Sequence, residues 1–420
     1  MTTPTETPPA PPPAIKAFTA AVYESPVKNI YFIKGLVSEK FELYGEDLIG
    51  LLIDIQADSF AYYYKNAGLG TLEAQHQLAL MYALGKGVDL DEKKAVYWFR
   101  EAAQRGHYRG QYNLAVLCYR GRGLPKDDEQ ALYWLRKSAA QDTPEAHNLL
   151  GIFSCLGRGV AVDSRQAVEC FEKAAQQGHK YGRFNLAMMY KNGFGFTSAD
   201  EAHAFNNFLR AGELGIAEAQ NQVGVGYSYG IGVAVNKARA VEWYRKAAEQ
   251  GHIRGQYNLA AVYEFGLGGV EADDKNAMEW YRKAANAEDR DAQYHLGVFY
   301  LNGRGGLRKH PEEAEKWLLK AAAQDIVEAQ LCLANLYATG SGNVAQDYEQ
   351  SLHYYTLAAE RGHKEAQFKL GLIYEYGNSS VAKDYKLAKQ WYQKASAQGH
   401  GEAKINLWWI QWLKWLLPYV

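Results

Sequence analysis

Five histidines of this chain each follow a glycine: His107, His179, His252, His363 and His400. Imidazoles in such number are ordinary ligands of zinc, provided several meet within a few ångströms. A row of acids runs beside them, Asp91, Asp127, Asp163, Asp200, Asp273, Asp347 and Asp384, with Asn236 in the same place. Clustered carboxylates would serve acid–base catalysis or hold a divalent cation. Glycines at GxG spacing, from Gly85/Gly87 to Gly340/Gly342, resemble a phosphate-cradling loop. Ser25-Pro26-Val27-Lys28 reads S-x-x-K, a serine nucleophile motif. Cys118, Cys155, Cys170 and Cys332 are the thiols.

The spacing decides against each chemistry. The histidines and the acids occur once per repeating unit, so neither row converges on one substrate or ion. No strand precedes any GxG and the third glycine of the phosphate loop is missing. Neither S-D-N nor K-T-G accompanies the S-x-x-K. The cysteines have no CxxC and no even spacing, which a zinc site or a disulfide framework requires, so they read as small buried hydrophobes. No catalytic residue, metal or cofactor is expected.

The unit that carries these rows is a repeat. A small residue opens it at Ala74, Gly110, Ala146, Gly182, Ala219, Gly255, Ala292, Ala329, Ala366 and Ala403, at intervals of 36 or 37 residues. Counting that residue as zero, position four is apolar, from Leu78 to Leu407, and position eight is usually tyrosine. Steps of four mark one face of a helix, helix A. The GxG glycines end it, because glycine adopts the left-handed conformation cheaply. Helix B then begins on the Asp or Asn row, which reads as N-caps contributing about 1 kcal/mol each; at the one departure, His310, Pro311 supplies the first helical residue instead. Helix B carries a Trp row, Trp98, Trp134, Trp243, Trp280, Trp317 and Trp391. The "WYRK" stretch at Trp243 is therefore read as a packing face, and Trp280→Ala is expected to cost about 3–5 kcal/mol. Asn207 in the fourth repeat and Ser379 in the ninth break the pattern and are expected to be soft points.

Nine such helix pairs and a half unit imply an all-α, right-handed α/α superhelical solenoid over residues 72–402, closed by residues 403–420. Residues 1–15 hold six of the eleven prolines and read as an extended tail, with residues 16–71 as an N-terminal helical cap. Lys plus Arg total 46 against 47 acids, which excludes the basic footprint of a nucleic-acid binder. No secretory signal and no apolar run long enough to span a bilayer are present, so the cytoplasm is the expected compartment, with export by a signal-independent route left open.

Stretches such as "AQYHLGVFYLNGRGG" and "EWYRKAAEQGH" resemble the Sel1-like repeat family, cousins of the tetratricopeptide repeats, over residues 72 to 407. The resemblance implies an adaptor or scaffold that binds protein partners, as in signalling regulators, quality-control adaptors and bacterial proteins that engage host cells. Some cysteine-rich relatives are linked to β-lactam hydrolysis, but they carry paired cysteines in every repeat and this chain does not.

If helix A is oriented as in tetratricopeptide repeats, positions two, six, nine and ten face a binding groove. Tyr229, Phe265 and Tyr376 stand at position ten, and with Tyr119, Arg120, Glu264 and Glu375 they form the expected contact surface, mixed in aromatic and charged character. A second surface is expected at "LWWIQWLKWLLPYV", where Trp409 and Trp412 lie outside the helix-B register. Self-association or a protein partner is expected there ahead of membrane-surface contact, since its single lysine attracts anionic lipid weakly.

Overall fold

The computed structural model describes residues 59–416 apart from residue 197, and only the backbone of residues 411–416. Residues 1–58, including the expected proline-rich tail and most of the expected cap, lie outside the described residues, as does Ser25 with its S-x-x-K. The chain divides into two compact units, Met1–Leu214 and Gly215–Val420. The first holds α1 (Ser59–Gly68) and four helix pairs: α2 (Leu72–Leu84) with α3 (Glu92–Gln104), α4 (Tyr108–Arg120) with α5 (Asp128–Ala139), α6 (Pro144–Leu156) with α7 (Ser164–Gln176), and α8 (Lys180–Asn192) with α9 (Glu201–Glu213). The second holds α10 (Ala217–Tyr229) with α11 (Lys237–Glu249), α12 (Ile253–Phe265) with α13 (Asp274–Asn286), α14 (Arg290–Asn302) with α15 (Pro311–Ala323), α16 (Val327–Thr339) with α17 (Tyr348–Glu360), α18 (Lys364–Tyr376) with α19 (Tyr385–Ala397), and the single α20 (Gly401–Leu416). Within each unit every helix packs on the next in sequence. Among the described residues the only β pairing is an isolated bridge between Ser341 and Val344.

Local chemistry sets each boundary. The Asp/Asn row caps the B helices: Asp91, for example, accepts from the Lys94 N–H at 3.0 Å, while its own N–H returns to the Tyr82 carbonyl at 2.9 Å and closes the loop. At His310 no side-chain cap forms and Pro311 starts α15. Of the two GxG glycines, the first ends helix A in the left-handed region. The second lies against the preceding repeat: at Gly268 (φ 66°) a Cβ would stand 2.5 Å from the Lys237 carbonyl oxygen. In the ninth repeat, where Ser379 replaces that glycine, Asn378 Oδ1 instead accepts from the Ser380 and Val381 N–H groups at 2.9 Å each. This side-chain turn does the work of the absent glycine.

The core follows one rule. In the nine helix pairs position five of helix A is Gly or Ala, and a large side chain from helix B of the same repeat sits in the notch. A Cβ on Gly224 would meet the Tyr244 ring at 2.6 Å, and one on Gly151 the Phe171 ring at 2.6 Å. The seated residue is the one after the Trp row. Tyr281 and Tyr392 are fully buried, whereas Trp280 and Trp391 are half-buried, each with a lysine one turn along its helix over the indole: Lys283 Nζ at 3.7 Å from the Trp280 ring centre, Lys394 at 4.0 Å from that of Trp391. "WYRK" is thus structural, as its repetition implied: at residues 243–246 Trp243 and Tyr244 are both buried, while at residues 280–283 Tyr281 is fully buried and Trp280 half-buried.

The glycine-linked histidines cap the A helices. His107 Nδ1 accepts from the Gly110 N–H at 3.0 Å, and His179 and His252 repeat the contact at the same distance. An Nδ1 that accepts leaves the ring proton on Nε2, which His107 directs to Glu73, His252 to Glu218 and His400 to Glu365, at 3.0–3.2 Å. Each of these acids lies on helix A of the preceding repeat, so one imidazole caps its own helix and ties it to its neighbour.

These assignments yield two predictions. Tyr281→Ala should cost about 3–5 kcal/mol, and Trp280→Ala only about 1–2 kcal/mol, because its ring is half-solvated and contributes part of its energy through the lysine. Equal losses in denaturant titrations would refute the notch rule. The second concerns His179, whose pKa burial, aided by Lys180, lowers from 6.5 to about 4. A neutral imidazole is needed for the cap, so the unfolded state binds the proton first and stability falls as pH drops from 6.5 towards 4. Replacing it with Asn keeps a cap acceptor without the titration. The stability difference between pH 7 and pH 4.5 should shrink in His179→Asn by on the order of 2 kcal/mol. An unchanged difference would assign the acid sensitivity to other groups.

Candidate protein-interaction surface

With helix B seated against position five, the opposite side of helix A, at positions two, three, six, nine and ten, is left to face away. In the second unit positions six and ten of this face are half-buried or exposed, while Asn221 and Phe368 at position two are buried. Its rim carries Tyr229, Phe265 and Tyr376, each the last residue of its helix, and these rings are 51%, 40% and 63% exposed. Val225 and Ala261 lie half-buried one turn earlier, at position six of the first two of these helices. Three solvated aromatic rings at one repeat position, beside half-buried apolar residues, are the make-up of a contact patch rather than of a core.

The two acids expected beside these rings are committed elsewhere. Glu264 is buried, accepting from the Tyr281 hydroxyl at 2.7 Å and from Arg304 Nη1 at 2.7 Å, with His295 Nδ1 at 3.2 Å. Arg304 also forks onto Asp274 at 2.6 and 3.0 Å. Burial opposes ionisation of Glu264, but the hydrogen bonds and charge of His295, with those of Tyr281 and Arg304, prevail and hold its pKa at about 2. Glu375 likewise accepts from the Tyr392 hydroxyl at 2.5 Å. In both, the phenol seated in the notch reaches through to position nine. These acids brace the array from beneath the open face and are not presented on it.

In the first unit, Tyr119 is half-buried against Phe153, with Arg158 Cζ 4.7 Å and Lys126 Nζ 5.4 Å from its ring centre. Arg120 follows it at position ten and is half-buried. This end of helix A is basic where that of the second unit is aromatic. Glu73, His76 and His107 bring their donor atoms within 4.8 Å of one another, a grouping of the right types for a metal. The N–H of Gly110 requires the His107 proton on Nε2, so that nitrogen has no lone pair for an ion while the cap is formed. His76 Nε2 is 3.0 Å from Asn113 Nδ2, an amide donor, which places its proton on Nδ1, the nitrogen nearer Glu73. The cluster is therefore a carboxylate facing two N–H groups, and Glu73 is held well below the usual carboxylate range, chiefly by His76.

The last helix offers the remaining surface. Trp408 and Trp409 are 55% and 50% exposed, with Ile405 one turn before them, while Ile410 is buried on the opposite side. The side chain of Trp412 lies outside the described residues. Three features carry no conspicuous sequence signal: the Tyr–acid links through the notch, the imidazole capping, and an amide ladder in which Asn185 donates to Asn148 at 2.9 Å and Asn258 to Asn221 at 2.8 Å. Only the ladder's recurrence, an Asn one repeat on and one position later, was available to find it.

A model of the Sel1 repeat matches nine successive segments: residues 72–107, 109–143, 144–179, 181–216, 217–252, 253–289, 290–326, 327–363 and 364–400. Among solved structures, the chain is similar to a protective antigen present in uropathogenic Escherichia coli strains that displays an SLR fold. The identity is 34% and the TM-score 0.77, over 84% of this chain and 74% of the other. It is also similar to a Sel1 repeat protein from Oxalobacter formigenes, at 30% identity and a TM-score of 0.51, over 58% of this chain and 94% of that one. Nine consecutive helix pairs, each with its notch, eight of them with the GxG turn, and each matched by the same repeat model, place this chain in the Sel1 repeat family.

Proposed function

We propose that the chain is a non-enzymatic scaffold that holds a protein partner on the open face of its second unit, with Tyr229, Phe265 and Tyr376 as the anchoring side chains. The observation that carries this reading is the recurrence of a solvated aromatic ring at one repeat position where nothing in the fold requires it. Rings of this kind anchor partners at low entropic cost, and members of this repeat family typically serve as protein-interaction scaffolds. The role would lie in regulation or in contact with a host cell. Nucleic acid is not a proposed partner.

A hydrolase is the competing reading, and the thiols argue against it. Burial pushes the Cys118 and Cys332 thiols up to about 11 and the Cys155 thiol to about 12, the wrong direction for a nucleophile. All four described cysteines are free, which suits the reducing cytoplasm proposed here as the compartment. The exposed Trp408 and Trp409 support a second contact surface, proposed to serve self-association or a protein partner before a membrane surface.

Two outcomes are expected. The triple variant Tyr229→Ala, Phe265→Ala, Tyr376→Ala should lose partners recovered by full-length bait, roughly 1–2 kcal/mol per ring, while keeping its thermal unfolding. Undiminished capture would remove these rings from the binding site. Light scattering and liposome co-sedimentation should distinguish the full chain from one ending at Asn406. If both are monomeric, ignore liposomes and capture the same partners, the tail is a cap alone.

A further inference from the structure

The B helices of the first two repeats carry a surface that packing does not use. α3 exposes Lys93, Lys94, Tyr97, Arg100 and Gln104, and α5 exposes Glu129, Gln130, Tyr133, Arg136 and Lys137. These two helices thus turn five cations and two tyrosines to solvent against one exposed acid, on a chain whose formal net charge is -1. The pattern is written twice, as Tyr97-Trp98-Phe99-Arg100 and Tyr133-Trp134-Leu135-Arg136. At the register position of the two tyrosines, repeats three, five and six carry Glu169, Glu242 and Glu279, all exposed. The fold accepts a glutamate there, so packing does not account for the rings.

The rings are held in place from behind. Tyr97 meets Trp98 edge-on with 5.0 Å between ring centres, and Tyr133 meets Trp134 in the same way at 4.9 Å. Both tyrosines remain about half solvated, at 55% and 48% exposure. Lys137 Nζ stands 4.7 Å from the Tyr133 ring centre. Lys94 pairs with Asp91, whereas Lys93, Arg100, Arg136 and Lys137 pair with no carboxylate among the described residues. Beside Tyr133 the surface dips into a depression between α5 and the turn of the third repeat, lined by Leu132, Tyr133, Arg136, Lys137, Ala140 and Gly159 with Glu129. Packed helices lie about 10 Å apart, and three residues of extended chain cover the same distance.

We propose that this outer face of α3 and α5 is a docking site for an extended acidic polypeptide segment, with Tyr97 and Tyr133 contacting its side chains and Arg100 and Arg136 its carboxylates. Charge selects the occupant. A neutral or basic segment would desolvate these cations without pairing them, whereas a carboxylate can take a guanidinium by two parallel hydrogen bonds. The near-neutral chain around the patch gives a long polyanion little attraction beyond it, while a short acidic segment needs only the patch. Rings already fixed against an indole lose little freedom when they are covered. The site lies in the first unit and does not rest on the anchoring rings proposed for the second.

Fluorescence anisotropy on the full-length chain tests this with three labelled probes: a short peptide repeating Glu-Phe-Gly, its Gln-Phe-Gly counterpart, and an oligothymidylate of the same length. The acidic peptide should bind about tenfold or more tightly than the neutral one, and its binding should weaken as salt is added. The variant Tyr97→Glu, Tyr133→Glu installs the residue that repeats three, five and six carry at this position. It should keep its thermal unfolding and lose about tenfold or more in affinity for the acidic peptide. Arg100→Gln, Arg136→Gln should lose as much. The triple variant at Tyr229, Phe265 and Tyr376 should bind this peptide as the wild-type chain does, so the two proposed surfaces succeed or fail separately. Equal binding of the two peptides, or of oligothymidylate and the acidic peptide, would overturn the proposal. So would undiminished affinity in a folded Tyr97→Glu, Tyr133→Glu chain. If that variant does not fold, the Arg100→Gln, Arg136→Gln chain decides.

Discussion

A side chain of helix B seated over a residue with almost no side chain on helix A is the contact on which this array depends. Position five reads Ala79, Ala115, Gly151, Ala187, Gly224, Ala260, Gly297, Ala334 and Gly371, and the seated residue runs from Phe99 to Tyr392. Neither helix is stable alone at thirteen residues. The seated group is buried in every repeat, a gain of several kcal/mol each time, and it fixes how closely the two helices approach. Close approach brings the loop that joins them against the previous repeat, so that the second GxG glycine meets a backbone carbonyl of the neighbour. Intra-repeat packing and inter-repeat stacking are therefore coupled through one geometric condition, as nearest-neighbour terms must be for a solenoid to hold together.

The same condition creates the face proposed to bind a partner. A helix that buries position five against its own partner turns positions six and ten away from it, and in the second unit the side chains there are half-buried or exposed. The second unit places aromatic rings at position ten; the first surrounds Tyr119 with cations. The two faces differ in chemistry while the scaffold beneath them stays constant. Tyr281 and Tyr392 join the two sides, since each is buried in the notch by its ring and bonded by its hydroxyl to an acid at position nine. An engaged Glu264 or Glu375 stiffens the helix that presents Phe265 or Tyr376 without itself being available to a partner.

The period, the caps and the GxG turns were legible in the sequence because each is a local rule written repeatedly. The exposure of Tyr229, Phe265 and Tyr376 followed from the same register. What was misjudged depended on partners distant in sequence. Trp280 drew the core assignment by its size, yet the notch selects Tyr281, one residue on, and the notch lies on another helix. Glu264 reads as an acid beside an aromatic until Tyr281, His295 and Arg304 converge on it from two further helices and a loop. The histidines were recognised as repeat punctuation, but their capping role depends on which ring nitrogen meets the Gly110 amide, and sequence does not encode that.

The notch rule also explains the last helix. Counted from Ala403, position five of α20 is Trp408, where nine earlier repeats have Gly or Ala. A ring from a following helix B has no space to enter there, so α20 cannot be paired as every earlier helix A is paired. It still uses the rest of the pattern: Ala403 is buried, His400 caps it through Ala403 at 3.2 Å, and Asn406 donates to the Tyr392 hydroxyl at 3.2 Å. The helix is thus joined to the array by one side and barred from continuing it by the other. Ile405, Trp408 and Trp409, spaced by three and four residues, form a single stripe on that barred side. An indole at the notch position therefore leaves no room for a ring seated as in the earlier repeats, and with Ile405 and Trp409 it forms the apolar stripe proposed as a second contact surface.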